Sequence, residues 1–229
     1  DLPVDYEGYG VSPLNVKYDS DLGMWLQWAR SGDQRWFDLA LAYDRHTADI
    51  DILHNLHSPR HWSDGIAFGH SYHDEEGFLN PHRNYGGTSP DTAFGEPGML
   101  LAYYLTGYEK TLETALELAD NVDYRLRNDA NLCSYFGESC SGEGYVLFTQ
   151  MYNAGSRPAA NSLNILVEAY RATGDARYLE TANALVSWAN PEQQPYINGP
   201  TGASGEEDHV RPWMLNLYLR ALANYLDML

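Results

Sequence analysis

The sequence predicts an all-α protein, an α/α barrel or arc of about three and a half helical hairpins with long loops gathered at one end. Three observations predict it. A short phrase returns three times: WARSGDQRWFDLA at Trp28–Ala40, YLTGYEKTLETA at Tyr104–Ala115 and RATGDARYLETA at Arg171–Ala182. In each copy an apolar run ends in Ser or Thr followed by Gly, a cation stands three residues later (Arg35, Lys110, Arg177), and a second run follows. On both sides of each Gly the apolar residues recur at helical spacing, and a supersecondary unit that repeats specifies a hairpin array.

The elements follow in order. Met24, Trp25 and Trp28 predict a first helix, closed at Gly32, where a residue without Cβ takes the left-handed conformation that ends a helix. Phe37, Ala40 and Leu41 predict its partner, and Asp33 stands where that partner receives its cap. Leu100, Tyr103 and Tyr104 lead to Gly107, followed by Leu112, Ala115, Leu116 and Ala119. Leu163, Leu166, Val167 and Tyr170 lead to Gly174, followed by the candidate cap Asp175 and by Leu179, Ala182, Val186 and Ala189. A seventh helix, Arg211–Leu229, carries Trp213, Leu217 and Tyr218, accepts Pro212 at its start and has no partner after it. The helices before each Gly follow the loops and are rich in aromatics, so they are assigned to the inner layer.

Composition narrows the function. The chain has 229 residues, 44% hydrophobic and 13% aromatic, enough for a substantial core in a single domain. No apolar run approaches the length of a membrane span, and DLPVDYEGYG lacks the pattern of a signal peptide. The net charge of −18 opposes nucleic acid and anionic membranes, and suits solubility, salt tolerance or cation binding. Cys133 and Cys140 stand seven apart in a Gly- and Ser-rich stretch, either free or bonded in a small loop; the bonded reading predicts an extracytoplasmic or secreted protein.

Long loops between the hairpins are where chemistry concentrates. Seven of the eight histidines fall between His46 and His82, in a stretch that continues through HRNYGG to DTAFGEPG. Candidate acids and bases there are His70, His73, His82, Asp91 and Glu96. Asp91 and Glu96 suit a carboxylate pair for glycoside hydrolysis. A His or Tyr suits abstraction of the proton α to a uronate carboxylate, with an Arg or a cation neutralising the acid. Candidate substrate contacts are Trp62, Tyr72, Arg83 and Tyr85 in the loop, Arg157 before the third hairpin and Arg211 before the last helix. Aromatic faces stack on sugar C–H faces, and guanidinium groups take carboxylates bidentately. His70 and His73 with Asp74 or Glu75 are candidate ligands for a transition metal, and the surrounding acids for calcium or another divalent cation. Each residue taken singly also fits the plainer role of holding a loop together.

The phrases MLLAYYLTG, HWSDG, GHSYHDEEG, HRNYGG and DTAFGEPG resemble the α/α-toroid domain of polysaccharide-degrading enzymes, most closely exo-rhamnogalacturonan lyase-like proteins. The resemblance covers roughly residues 19–229. Hairpins joined through T-G-D also resemble unsaturated glucuronyl hydrolases, other six-hairpin glycosidases and cellobiose epimerase-like enzymes. It implies an incomplete α/α toroid with a sugar cleft at one end, a polysaccharide or oligosaccharide partner, and a cleft lining to which His70, His82, Asp91 and Glu96 are the nearest correspondences. Two departures stand out. A closed toroid has about five to seven hairpins, so the open ends predict the remaining domains of a larger chain or a homo-oligomer. A charge of −18 also sits poorly with a polyuronate and weakens the lyase reading against hydrolysis of a neutral sugar; β-elimination from an acidic pectic glycan still stands ahead of hydrolysis, with local Arg residues or a bound cation required, and a non-catalytic carbohydrate-binding scaffold is the further alternative.

Overall fold

A computed structural model describes residues 20–51, 97–127, 136, 157–189 and 212–229, and among these the chain is all-helical with no strand. The helices are α1 (Ser20–Ser31), α2 (Gln34–His46), α3 (Pro97–Thr106), α4 (Glu109–Arg127), α5 (Arg157–Thr173), α6 (Ala176–Trp188) and α7 (Pro212–Met228). One π-helical turn, Thr47–Asp51, continues α2. The chain packs as two compact units, Asp1–Asn121 and Val122–Leu229, with the boundary inside α4.

The repeated phrase is a single turn built three times. Gly32, Gly107 and Gly174 have φ of 67°, 72° and 70°. Each donates its N–H to the carbonyl four residues back, on Trp28, Tyr103 and Tyr170, at 2.7–2.8 Å. The preceding hydroxyl closes the rest of the turn. Ser31, Thr106 and Thr173 each donate to a carbonyl of the previous turn (Gln27, Ala102, Ala169) and accept the N–H of the residue after the Gly. Backbone groups left over at a helix end are thereby satisfied locally. Asp33 and Asp175 then cap α2 and α6, accepting from the N–H of Arg35 and Arg177. The cation three residues after the Gly pairs with that same cap acid: Arg35 with Asp33 at 2.5 Å, Arg177 with Asp175 at 3.4 Å. In the second copy Tyr108 replaces the acid, and Lys110 faces Glu113 instead.

In the first unit α1, α2 and α3 pack on one another. Their core is Met24, Trp25, Ala40, Tyr43 and Ala102, with Trp28 and Phe37 packed against it. Trp25 meets Phe37 edge to face at 5.1 Å and Trp28 at 6.2 Å, an arrangement that suits the ring quadrupoles. The predicted stripe of α3 is only partly buried. Leu100 is inside, whereas Tyr104 is exposed and Met99 and Ala102 take the interior instead.

In the second unit α5 lies between α6 and α7. Every residue of α5 from Ala159 to Val167 is buried, because neighbours cover more than one of its faces. Full burial of Leu163, Ile165 and Leu166 contributes about 1.5–3 kcal/mol per side chain. α6 buries Tyr178, Thr181, Ala182, Leu185 and Trp188. Of the predicted stripe Ala182 and Ala189 are fully buried, whereas Leu179 and Val186 are half-buried at its margins. α7 buries Tyr218, Ala221 and Tyr225. Polar ties fix it to α5: Arg171 donates to the Asn224 carbonyl at 2.9 Å, and Asn224 donates to Asn164 at 3.2 Å.

Candidate functional site

In the sequence, described helices stand on either side of the histidine-rich stretch. Its start follows α2 and the π turn, and α3 begins at Pro97, the residue after Glu96. Trp62, His70, Tyr72, His73, His82, Arg83, Tyr85, Asp91, Glu96 and Arg211 lie outside the described residues, as do Cys133 and Cys140. Arg157 is the first residue of α5, with its side chain also outside them. Among the described residues no group of three or more His, Cys, Asp or Glu is placed to hold a metal ion; His70, His73, Asp74 and Glu75 are not among these. No described helix is long and apolar enough to cross a membrane.

Directly beneath the start of α3 the first unit holds two buried carboxyl groups, Asp21 of α1 and Asp44 of α2, 5% and 0% exposed. Asp44 Oδ2 accepts from Trp25 Nε1 at 2.7 Å. Its Oδ1 is buried with no hydrogen-bond partner among the described residues, and the Asp21 carboxyl is close enough to act on the group. Burial, and then the negative charge of Asp21, push the Asp44 carboxyl well above the usual carboxylate range. Two acids brought together out of water resist ionising together, which is the physical cause of that upward shift. The Asp21 carboxyl presses on Gly98 in the first turn of α3, where a Cβ would overlap it. A helix N-terminus favours negative charge. The helix start above it suits a carboxylate at Asp21, while Asp44 is the acid that burial and its neighbour hold toward the neutral form.

Reading the sequence missed this pair. The signal was present: Asp21 stands three and four residues before Met24 and Trp25, and Asp44 four after Ala40. Each is an acid on the apolar face of its helix.

The second unit carries a different arrangement. Asp123 of α4, with its side chain 4% exposed, accepts from Thr181 Oγ1 at 2.5 Å and Arg127 Nε at 2.9 Å. Burial pushes its carboxyl up, and those two hydrogen bonds draw it part of the way back. Arg127 also donates to Glu180 at 3.2 Å and to the Arg177 carbonyl at 3.0 Å, and lies 4.5 Å over the Phe136 ring. Beside it opens a depression of about 400 Å³, lined by Arg127, Phe136, Glu180, Asn183, Ala184 and Ser187. The guanidinium there is already balanced by Asp123 and Glu180, so the depression offers no uncompensated positive charge to an anion.

Comparison with known proteins returns no matching family, no matching curated protein and no matching solved structure.

Proposed function

We propose that the chain is a carbohydrate-active helical-hairpin domain that cleaves an acidic, rhamnogalacturonan-like polysaccharide by β-elimination. The observation that supports this reading is the histidine-, aromatic- and arginine-rich stretch of sequence between the first and second hairpins. In the reaction a base drawn from His70, His73 or His82 takes the C5 proton of a uronate. The C4–O4 bond breaks as the C4=C5 double bond forms, and the departing oxygen receives a proton from an acid such as Asp91 or Glu96. Arg83, Arg157 and Arg211, or a divalent cation such as calcium, neutralise the carboxylate as charge develops. Trp62, Tyr72 and Tyr85 supply stacking faces.

The charge of −18 favours a second reading, hydrolysis of a neutral sugar by the pair Asp91 and Glu96. A non-catalytic carbohydrate-binding scaffold is the third. One experiment separates them. The chain is incubated with rhamnogalacturonan, polygalacturonate and a panel of neutral glycans. Ultraviolet absorbance from an unsaturated uronide supports elimination. New reducing ends without that absorbance establish hydrolysis. Neither signal from folded protein, with glycan retained in affinity electrophoresis, establishes the scaffold.

A further inference from the structure

One face of α6 is polar at helical spacing. Glu180, Asn183, Ala184 and Ser187 stand three, one and three residues apart, which places them together on that face. With Arg127 and Phe136 they line the depression of about 400 Å³ in the second unit, a volume within the ~300–1,000 Å³ of small-molecule sites. Ala184, a small buried residue between the polar ones, leaves space on that face.

Two of the polar groups are held by buried partners. Asn183 Oδ1 accepts from the Tyr225 hydroxyl of α7 at 2.5 Å, so the Asn183 amide keeps both of its N–H groups. Arg127 commits Nε to Asp123 and Nη2 to Glu180 and the Arg177 carbonyl, and keeps Nη1. Glu180 accepts through Oε2 and keeps Oε1. Ser187 adds a hydroxyl, which both donates and accepts. The Phe136 ring, with Arg127 over it at 4.5 Å, adds apolar surface.

The depression thus offers donors and an acceptor on helices that are already fixed, beside an aromatic ring. An anion fits it poorly, because the guanidinium is balanced by Asp123 and Glu180 and the chain carries −18. Neighbouring hydroxyls on a sugar ring satisfy such a set, since each donates and accepts, while the C–H face of the ring meets the aromatic. We propose that the depression beside α6 binds one neutral sugar residue, a pyranoside without a carboxylate. It uses none of the residues assigned to cleavage. A ligand of about thirteen heavy atoms at ordinary binding efficiency gives a Kd on the order of millimolar.

The test is titration of the chain with methyl glucoside, methyl galactoside, methyl rhamnoside and methyl galacturonoside, read by saturation-transfer NMR and by the side-chain amide signal of Asn183. At least one neutral glycoside is expected to saturate in the millimolar range and to shift that signal. The galacturonoside is expected to bind at least about 10-fold more weakly than the galactoside, from which it differs only at C6. Ser187→Leu, at an exposed helical position, removes a hydroxyl and fills the space; it is expected to raise Kd at least about 10-fold with helix content and melting temperature unchanged. Glu113→Gln, an exposed substitution in the first unit, leaves Kd as it was. The histidine-rich stretch is intact in every variant, so loss of this site and absence of cleavage are separate results. A parent chain that no neutral glycoside saturates overturns the proposal. So does binding that Ser187→Leu leaves intact or Glu113→Gln weakens equally, and so does a preference for the uronoside.

Discussion

Replacing Asp44 by Asn tests whether the acid pair holds a proton. In the folded chain burial and Asp21 hold the Asp44 carboxyl above its ordinary value; in the unfolded chain it titrates near 4. The folded state therefore keeps a proton that the unfolded state releases. The sign follows. Stability from the neutral acid is fully present below the unfolded value and declines as pH rises through the window up to the raised value. One retained proton gives a slope of about 1.4 kcal/mol per pH unit across that window. Asn keeps an oxygen to accept from Trp25 Nε1 and an amide to donate to Asp21, and it has nothing to titrate. The free energy of Asp44→Asn minus that of the parent should climb with pH at this slope, starting from near pH 4. For a chain of this size that is roughly 3–5 °C in melting temperature per pH unit. Thermal melts of both proteins from pH 4 to pH 8, followed by circular dichroism, provide the measurement. Asp21→Asn should give a shallower difference, since burial still opposes ionisation of Asp44 after its charged neighbour is gone. Parallel parent and Asp44→Asn curves over the whole range would refute the reasoning.

Two other substitutions probe the frame. Gly174→Ala, at φ of 70°, should cost about 1–2 kcal/mol in urea unfolding with the helix content kept, because the left-handed conformation penalises a Cβ. Thr181→Val removes the hydroxyl that donates to buried Asp123, and should cost about 1–3 kcal/mol by the same measurement; Thr181→Ser, which retains the donor, should recover most of that loss.

The turns and helices were legible because their causes are local. A Ser or Thr and a Gly with no Cβ close the turn within a few residues in each copy, and in the first and third an Asp two residues after the hydroxyl caps the next helix. Asp33 shows how local the effect is: side-chain and backbone hydrogen bonds from Arg35 hold its carboxyl down at about 2 in an exposed turn. Which face of each helix is buried was less legible. In α6 the interior belongs to Tyr178, Thr181, Ala182, Leu185 and Trp188, and in α3 Tyr104 points to water. Tyr carries an apolar ring and a polar end, and a short apolar helix such as Pro97–Thr106 has little polar face to set its rotation.

The candidate site divides in the same way. Clustering of histidines along the sequence is enough to nominate a loop, because proximity in the chain is itself the signal. Asp21 and Asp44 are twenty-three residues apart, and Asp123 and Thr181 fifty-eight. Composition reveals the net charge of −18 and the apolar stripe around each of these acids. It says nothing of which carboxyl loses water, because desolvation and a like-charged neighbour depend on what packs above the group. The amino-acid sequence by itself determined the helices and their three glycine turns. Only the packing of α1, α2 and α3 brought two acids together out of water, and only the packing of α7 beside α5 decided that Tyr218, Ala221 and Tyr225 are the residues it buries.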